Sequence, residues 1–412
     1  MASEPLHVLV YGSVDDGACD SVRLGVYRDL LPAHGVEMRT WGEMNDYRVQ
    51  IPADYAGGLE GAFRDGVAAI DLSPLEWADV LVFRRWYGTV CACEDCDYVA
   101  PDETTLAGHA AAGGHAPAVP DRIVRVLLSA IEKDRSILRG RALVYEVDDD
   151  LLAAQPWSGF DRRLAGDRDL IERFARVADL VTVSTPAVAA SFERFNASVR
   201  VIRNAVKPEL YGPAPADVAL RPLSFVYYGV GARYRDYSIC RDAVDSVARA
   251  GGGRRIWIGS DEPSIKAVVD EARPYRSGVP EFARELSSLA PAIGLAPCGQ
   301  DAYSRAHSEL HWLEYSLAGA ATVASRCMGP GPYDVMRDGV DGLLARNKAQ
   351  WQEQLRRLAA SPSLREELAG RARERVLAEY DVRDRVSEWA DAFSWAAAHA
   401  GSRAPVSTRP WP

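Results

Sequence analysis

The chain is predicted to be an α/β protein of two doubly wound, Rossmann-like domains, and three observations carry that prediction. Short apolar strands alternate with helical stretches twice along the 412 residues, as parallel sheets covered by helices require. A proline-rich stretch, KPELYGPAPADVALRP, separates the two runs and is taken as a linker at 208–222. The length suffices for two cores of ordinary size. The expected organisation is therefore an N-terminal domain at 1–207, a second domain at 223–380, a C-terminal helix at 381–400 and a flexible tail at 401–412.

Each strand follows from a run of β-branched and aromatic residues bounded by turn-formers. In the first half these are LHVLVYG (6–12), VEMRTW (36–41), DVLVFRR (79–85), ALVYEV (142–147), LVTVS (180–184) and VRVIRN (199–204). In the second they are LSFVYYG (223–229), RIWIGS (255–260), AIGLAP (292–297), ATVAS (321–325) and DGLLA (341–345). A helix is expected from Ala302 through Glu314, breaking at Gly319 into the strand ATVAS. Helical periodicity then runs from Ala349 to about Ala398.

Charged residues make up 26% and hydrophobic residues 48% of the chain, which is the composition of a globular protein. No run of eighteen apolar residues exists and MASEPLHVLVYG lacks the form of a signal peptide, so a cytoplasmic protein without a membrane span is expected. A net charge of −10 disfavours broad adhesion to nucleic acid. Seven cysteines, an odd number, argue against a disulfide framework.

Between 88 and 119 the spacing C-x2-C-x12-H-x5-H predicts a structural zinc held by Cys93, Cys96, His109 and His115. Leu106 stands three residues before His109, as in a small finger core, and Tyr98 lies near the usual aromatic position. From Cys91 to Pro120 there is no Lys or Arg while Glu94, Asp95, Asp97, Asp102 and Glu103 are acidic, which opposes phosphate-backbone binding. The insertion reads as a knob that shapes the acceptor side or docks on a protein.

Open α/β sheets bind ligands beyond the carboxyl ends of their strands, and the residues there are polar. Gly12 and Ser13 follow the first strand, and Arg84 and Arg85 end the third. Gly229, Gly231, Arg233 and Asp236 head the second domain, in a glycine-bearing loop where backbone N–H groups approach phosphate unobstructed and Arg233 adds a planar cation. Arg305, His307 and His311 place basic-capable groups one turn apart on the expected helix, with Glu314 nearly a turn further on. Neighbours four apart share a face, so the two histidines suit diphosphate oxygens and Glu314 a ribose. The three carboxylates of VYEVDDDLL are costly to bring together. Asp148 and Asp150 form a D-x-D suited to a divalent cation, or the run is an acidic N-cap with solvated neighbours.

These segments together resemble glycosyltransferases of the GT-B fold, in particular family four and a divergent branch found in actinobacteria and phages. HSELHWLEY matches that branch's Lys-Ser-x-x-Lys-x-x-Glu-Tyr at His307, Ser308, His311, Glu314 and Tyr315, with both lysines replaced by histidines. Glu314 matches the second glutamate of the family's E-x7-E, whose first position is Ala306 here. ADLVTVSTPAVAASF and VRVIRNAVKPELY resemble the family's ADLVTVSTPAL and VIPNGVD, which brings Thr185 and Asn204 toward the cleft. VYEVDDDLL resembles the branch's VYELDDDL, which implies Asp148 facing the transferred sugar or the acceptor hydroxyl. The resemblance implies two domains facing across a cleft and a nucleotide-diphosphate sugar as co-substrate. It also implies transfer to a hydroxyl acceptor with retention, and no catalytic metal. Arg233, His307 and His311 would stabilise the leaving diphosphate. The acceptor stays open among a protein side chain, a glycolipid or natural product, and a hydroxymethylated base in phage DNA. A non-catalytic scaffold using the zinc knob as an interaction module and a sugar-nucleotide epimerase are the rival readings.

Overall fold

The computed structural model describes residues 4–12, 23–57, 61–63, 65–84, 119–154, 168–213, 218–229, 234–259, 263–275 and 278–402. Ser13, Arg85, Gly231, Arg233 and the whole candidate zinc set of Cys93, Cys96, His109 and His115 lie outside them.

Two parallel six-stranded sheets form the two halves. The first runs in the order β2 (Val36–Thr40), β1 (Leu6–Tyr11), β5 (Val80–Arg84), β6 (Ala142–Val147), β7 (Leu180–Val183), β8 (Val199–Val201). A short antiparallel pair, β3 (Val49–Gln50) with β4 (Ala69–Ile70), stands beside it. The second sheet runs β11 (Glu271–Pro274), β10 (Arg254–Gly259), β9 (Ser224–Gly229), β12 (Ile293–Ala296), β13 (Ala321–Ser325), β14 (Leu343–Ala345). Strands β5, β6, β7, β9, β12 and β13 are buried at every position, as parallel strands covered on both faces must be. That burial is why their sequences read as continuous apolar runs.

The sequence left β11 and the β3–β4 pair unseen. β11 is an edge strand, EARP, whose residues alternate between exposed and half-buried, so it carries no apolar run. The order of the second sheet reverses at β9, which pairs with β10 on one side and β12 on the other. Ligands of open α/β sheets bind outside the carboxyl ends of the strands at such a switch point, here those of β9 and β12.

Helices α1 (Val119–Lys133), α2 (Arg168–Val177) and α3 (Pro186–Phe192) cover the first sheet. Helices α4 (Tyr234–Gly251), α5 (Val279–Leu289), α6 (Ala302–Ala306) and α7 (Leu310–Leu317) belong to the second half of the chain. The long periodic stretch after Ala345 is three helices, α8 (Lys348–Ala360), α9 (Pro362–Glu379) and α10 (Val382–Ala398), the last being the C-terminal helix expected from 381. Pro362 cannot continue a helix, and Ser361 caps the new one by accepting from Leu364 N at 3.2 Å. Asp381 starts α10 in the same way, accepting from Arg383 N at 2.9 Å.

Helix α10 crosses back to the first sheet. Val382, Val386, Trp389, Phe393 and Ala396 follow one helical face and bury against Val8, Val10, Val82 and Val144. An isolated parallel bridge pairs Val206, after the last strand of the first sheet, with Asp381, the cap of α10. Among the described residues no helix is long and apolar enough to cross a membrane.

Trp389 is fully buried, with its ring 5.6 Å from Phe393 and the Arg23 guanidinium 5.0 Å above it. Trp389→Ala is expected to destabilise the fold by about 3–5 kcal/mol, measured by urea denaturation; a loss below 1 kcal/mol would show that α10 does not stabilise the first sheet.

Candidate functional site

The carboxyl ends of the two sheets meet, and the contacts between them build the site. Thr185 caps α3 by accepting from Val188 N at 3.3 Å, and its hydroxyl also donates to Ala306 O at 2.9 Å. Asn204 Nδ2 donates to Ser308 Oγ at 2.8 Å. Arg203 pairs with Glu309 at 3.3 Å. Tyr303 and Ala306 bury in the core of the first sheet although they stand on α6.

These contacts explain why the predicted helix from Ala302 to Glu314 is two. His307 takes an extended conformation, φ −59° and ψ 160°, and closes α6. Ala306 O, which would accept from Leu310 N in a continuous helix, is taken by Thr185. His307 and His311 therefore do not share a helix face. His307 turns to the first half, where its Nε2 stands 3.7 Å from Asp149 Oδ1 and its ring meets Tyr303 edge-on at 4.7 Å. His311 turns into the second half, stacked 4.2 Å from the Tyr228 ring. Its Nε2 lies 3.0 Å from Tyr228 O and its Nδ1 lies 3.4 Å from Tyr333 Oη. A carbonyl only accepts, so Nε2 carries hydrogen, and in the neutral ring Nδ1 accepts from the phenol.

Glu314 is buried, and both its oxygens meet tyrosines: Tyr211 Oη donates to Oε1 at 3.1 Å and Tyr228 Oη donates to Oε2. Tyr211 comes from the stretch read as linker and Tyr228 from β9, so nothing near Glu314 in sequence announced either. Burial pushes the carboxyl up to about 7, against the two phenol hydrogen bonds that lower it. Next to it, Tyr315 donates from one hydroxyl to Val226 O at 3.0 Å and Leu295 O at 3.2 Å, bridging β9 and β12. Gly294 makes that possible, because a Cβ there would lie 2.4 Å from the Tyr315 ring.

The three aspartates divide their tasks. Asp150 caps the turn at 151–153, accepting from Ala153 N at 3.2 Å and from Ser191 Oγ at 2.5 Å, with burial raising its carboxyl. Asp149 faces His307. Asp148 is buried at the end of β6, where Ser184 Oγ donates to its carbonyl. Among the described residues no group of three or more His, Cys, Asp or Glu is placed to hold a metal.

Glu146, wholly buried at the end of β6, accepts from Arg23 Nε at 2.8 Å and Arg84 Nε at 3.1 Å. Arg23 also donates to Ile202 O and, at 3.1 Å, to Asn204 Oδ1. Arg23 lies outside every strand and helix the sequence predicted. Gly12 turns the chain after β1 with φ +115°, which favours glycine. Gly229 pairs with Gly259 across β9 and β10, where a Cβ on Gly259 would meet Gly229 O at 2.4 Å. Asp236 is buried in the first turn of α4.

Residues 245–391 match the glycosyl transferase-like family. No curated protein matches the sequence. The fold is similar to that of HepE from Anabaena in complex with UDP and glucose, at TM-score 0.59 and 14% identity, over 95% of this chain and 100% of that one. It is similar to sucrose-phosphate synthase from Thermosynechococcus elongatus, at TM-score 0.55 and 14% identity, over 96% and 99%. An α-glucosyltransferase in complex with UDP-glucose and DNA containing an abasic site matches at TM-score 0.55 and 12% identity, over 94% and 98%. At these identities the likeness establishes the GT-B fold.

A buried acid with a raised pKa holds its proton in the fold, so it stabilises below the ordinary carboxylate range and that contribution is lost as pH rises through about 7. Denaturant titrations from pH 4.5 to 8 should show wild type losing on the order of 3 kcal/mol more than Glu314→Gln across that window. Parallel profiles would show that Glu314 is not held protonated.

Proposed function

We propose that this chain, a glycosyltransferase of the GT-B fold, takes its sugar from a uridine diphosphate sugar and passes it to a hydroxyl acceptor with retention. The observation that carries the donor reading is the family match over 245–391, which contains His307, Ser308, His311 and Glu314. The uridine nucleotide is supported by fold neighbours that hold UDP with glucose or UDP-glucose.

The donor lies at the switch point of the second sheet, beside Gly229, Gly231 and Asp236. Arg233 meets the leaving diphosphate, whose developing charge is the main electrostatic demand of the transition state; His307 and His311 join it by exchanging their contacts with Asp149 and with Tyr228 and Tyr333 for phosphate oxygens. Glu314 holds the ribose by exchanging a tyrosine hydroxyl for a ribose hydroxyl, a like-for-like swap of donors on one acceptor. Asp148, with Gly12 and Ser13, faces the transferred sugar and the acceptor. Cys93, Cys96, His109 and His115 hold a structural zinc, a reading that rests on their spacing.

Purified protein incubated with UDP-glucose and no acceptor should slowly release UDP, with α-glucose as the first-formed anomer by proton NMR. Glu314→Ala should lower that release at least about a hundredfold. A changed sugar without UDP release would favour the epimerase, and no stabilisation by any nucleotide sugar would favour the interaction module. Zinc quantified in the same sample should reach one equivalent and fall in Cys93→Ser/Cys96→Ser; a metal-free wild type would remove the zinc reading.

A further inference from the structure

Helix α6 leaves β12 at the switch point of the second sheet, and its penultimate residue is Arg305. The neighbours of Arg305 on α6 are committed elsewhere: Tyr303 and Ala306 to the core of the first sheet, Ser304 to the capping Asp301 at 2.8 Å. Arg305 is not. Its Nε is buried and meets no hydrogen-bond partner, and its guanidinium forms no ion pair, among the described residues. A buried guanidinium nitrogen without an acceptor is costly, and such orphans in native folds mark an absent ligand or water.

The turn opposite is shaped around it. After β13 the chain runs Cys327-Met328-Gly329-Pro330-Gly331, and a Cβ on Gly329 would lie 2.5 Å from Arg305 Nη1. Glycine at 329 lets the backbone lie against the guanidinium. Asp334, the acid that follows on this turn, accepts from Gly331 N at 2.9 Å and forms no ion pair with Arg305. The cation thus stands at the carboxyl ends of β12 and β13, held by glycine rather than by a carboxylate. The nearby thiol of Cys327 is lowered first by its contact with Cys298 and also by the positive charge of Arg305.

We infer that Arg305 is a donor-binding residue, its fork-shaped guanidinium taking oxygens of the nucleoside diphosphate, with Gly329 keeping the space it occupies. The inference rests on the donor reading above and adds to it, beside Arg233, a second guanidinium whose charge does not depend on pH. Both ring nitrogens of His311 lie against protein groups, and His307 faces Asp149, which leaves Arg305 as the described cation without a protein counter-charge at this rim.

Calorimetric titration of the full-length protein with UDP, and of uridine by competition, tests it. Arg305→Gln should weaken UDP about tenfold or more and leave uridine unchanged, because only the diphosphate meets the guanidinium. Gly329→Ala, which keeps the arginine and displaces its Nη1, should weaken UDP by a smaller factor at unchanged melting temperature. UDP binding at the wild-type level in both variants would overturn the assignment while leaving the donor reading intact, and so would an equal loss for uridine. Wild-type protein that binds neither UDP nor UDP-glucose would overturn the donor reading and this assignment with it.

Discussion

The carboxylate of Glu146, wholly buried at the end of β6, is the constraint on which the inner rim of the first sheet depends. A charge taken out of water must be paired and hydrogen-bonded, and here Arg84 from β5 and Arg23 meet one oxygen each. Arg23 is thereby fixed where it also reaches Ile202 O and Asn204. Asn204 passes the order on to Ser308, and Thr185 beside it takes Ala306 O. The break between α6 and α7 follows, and with it the directions in which Arg305, His307 and His311 point.

A second buried carboxylate organises the other side. Glu314 has no cation; two phenols meet it instead, and burial raises its pKa. Around it Tyr228, His311 and Tyr315 pack ring against ring, with centroids 4.2 to 6.1 Å apart. Tyr315 also reaches carbonyls from both β9 and β12 with its hydroxyl. Packing and polar satisfaction act on the same residues here, so the segment is rigid where a donor would dock.

Much of the fold was legible in the sequence because parallel strands buried on both faces read as near-continuous apolar runs, as VLVF and ALVY do before the paired Arg84 and Glu146. ALVYEV and ATVAS matched their strands to the residue, and the others differed by one to three residues at their ends. Edge strand β11 was not legible, since an edge half open to solvent alternates polar and apolar side chains over too few residues. Within the helical periodicity from Ala349 to Ala398, the start of a separate C-terminal helix at 381 agrees with the cap at Asp381, whereas the break at Ser361-Pro362 was not drawn, although its capping chemistry was present in the sequence. In the site, Asp150 as a cap and Thr185 at a helix start were readable from residue type.

The sequence by itself determined the strand-helix alternation, the two-sheet plan and the chemical types gathered at the strand ends, because these depend on local periodicity and on neighbours in the chain. Only the tertiary structure decided that Glu314 is closed by Tyr211 and Tyr228, that α10 returns to the first sheet, and that His307 and His311 face opposite halves. Each of those outcomes depends on groups more than 80 residues apart meeting at one acceptor or one apolar face. No local period records such a meeting.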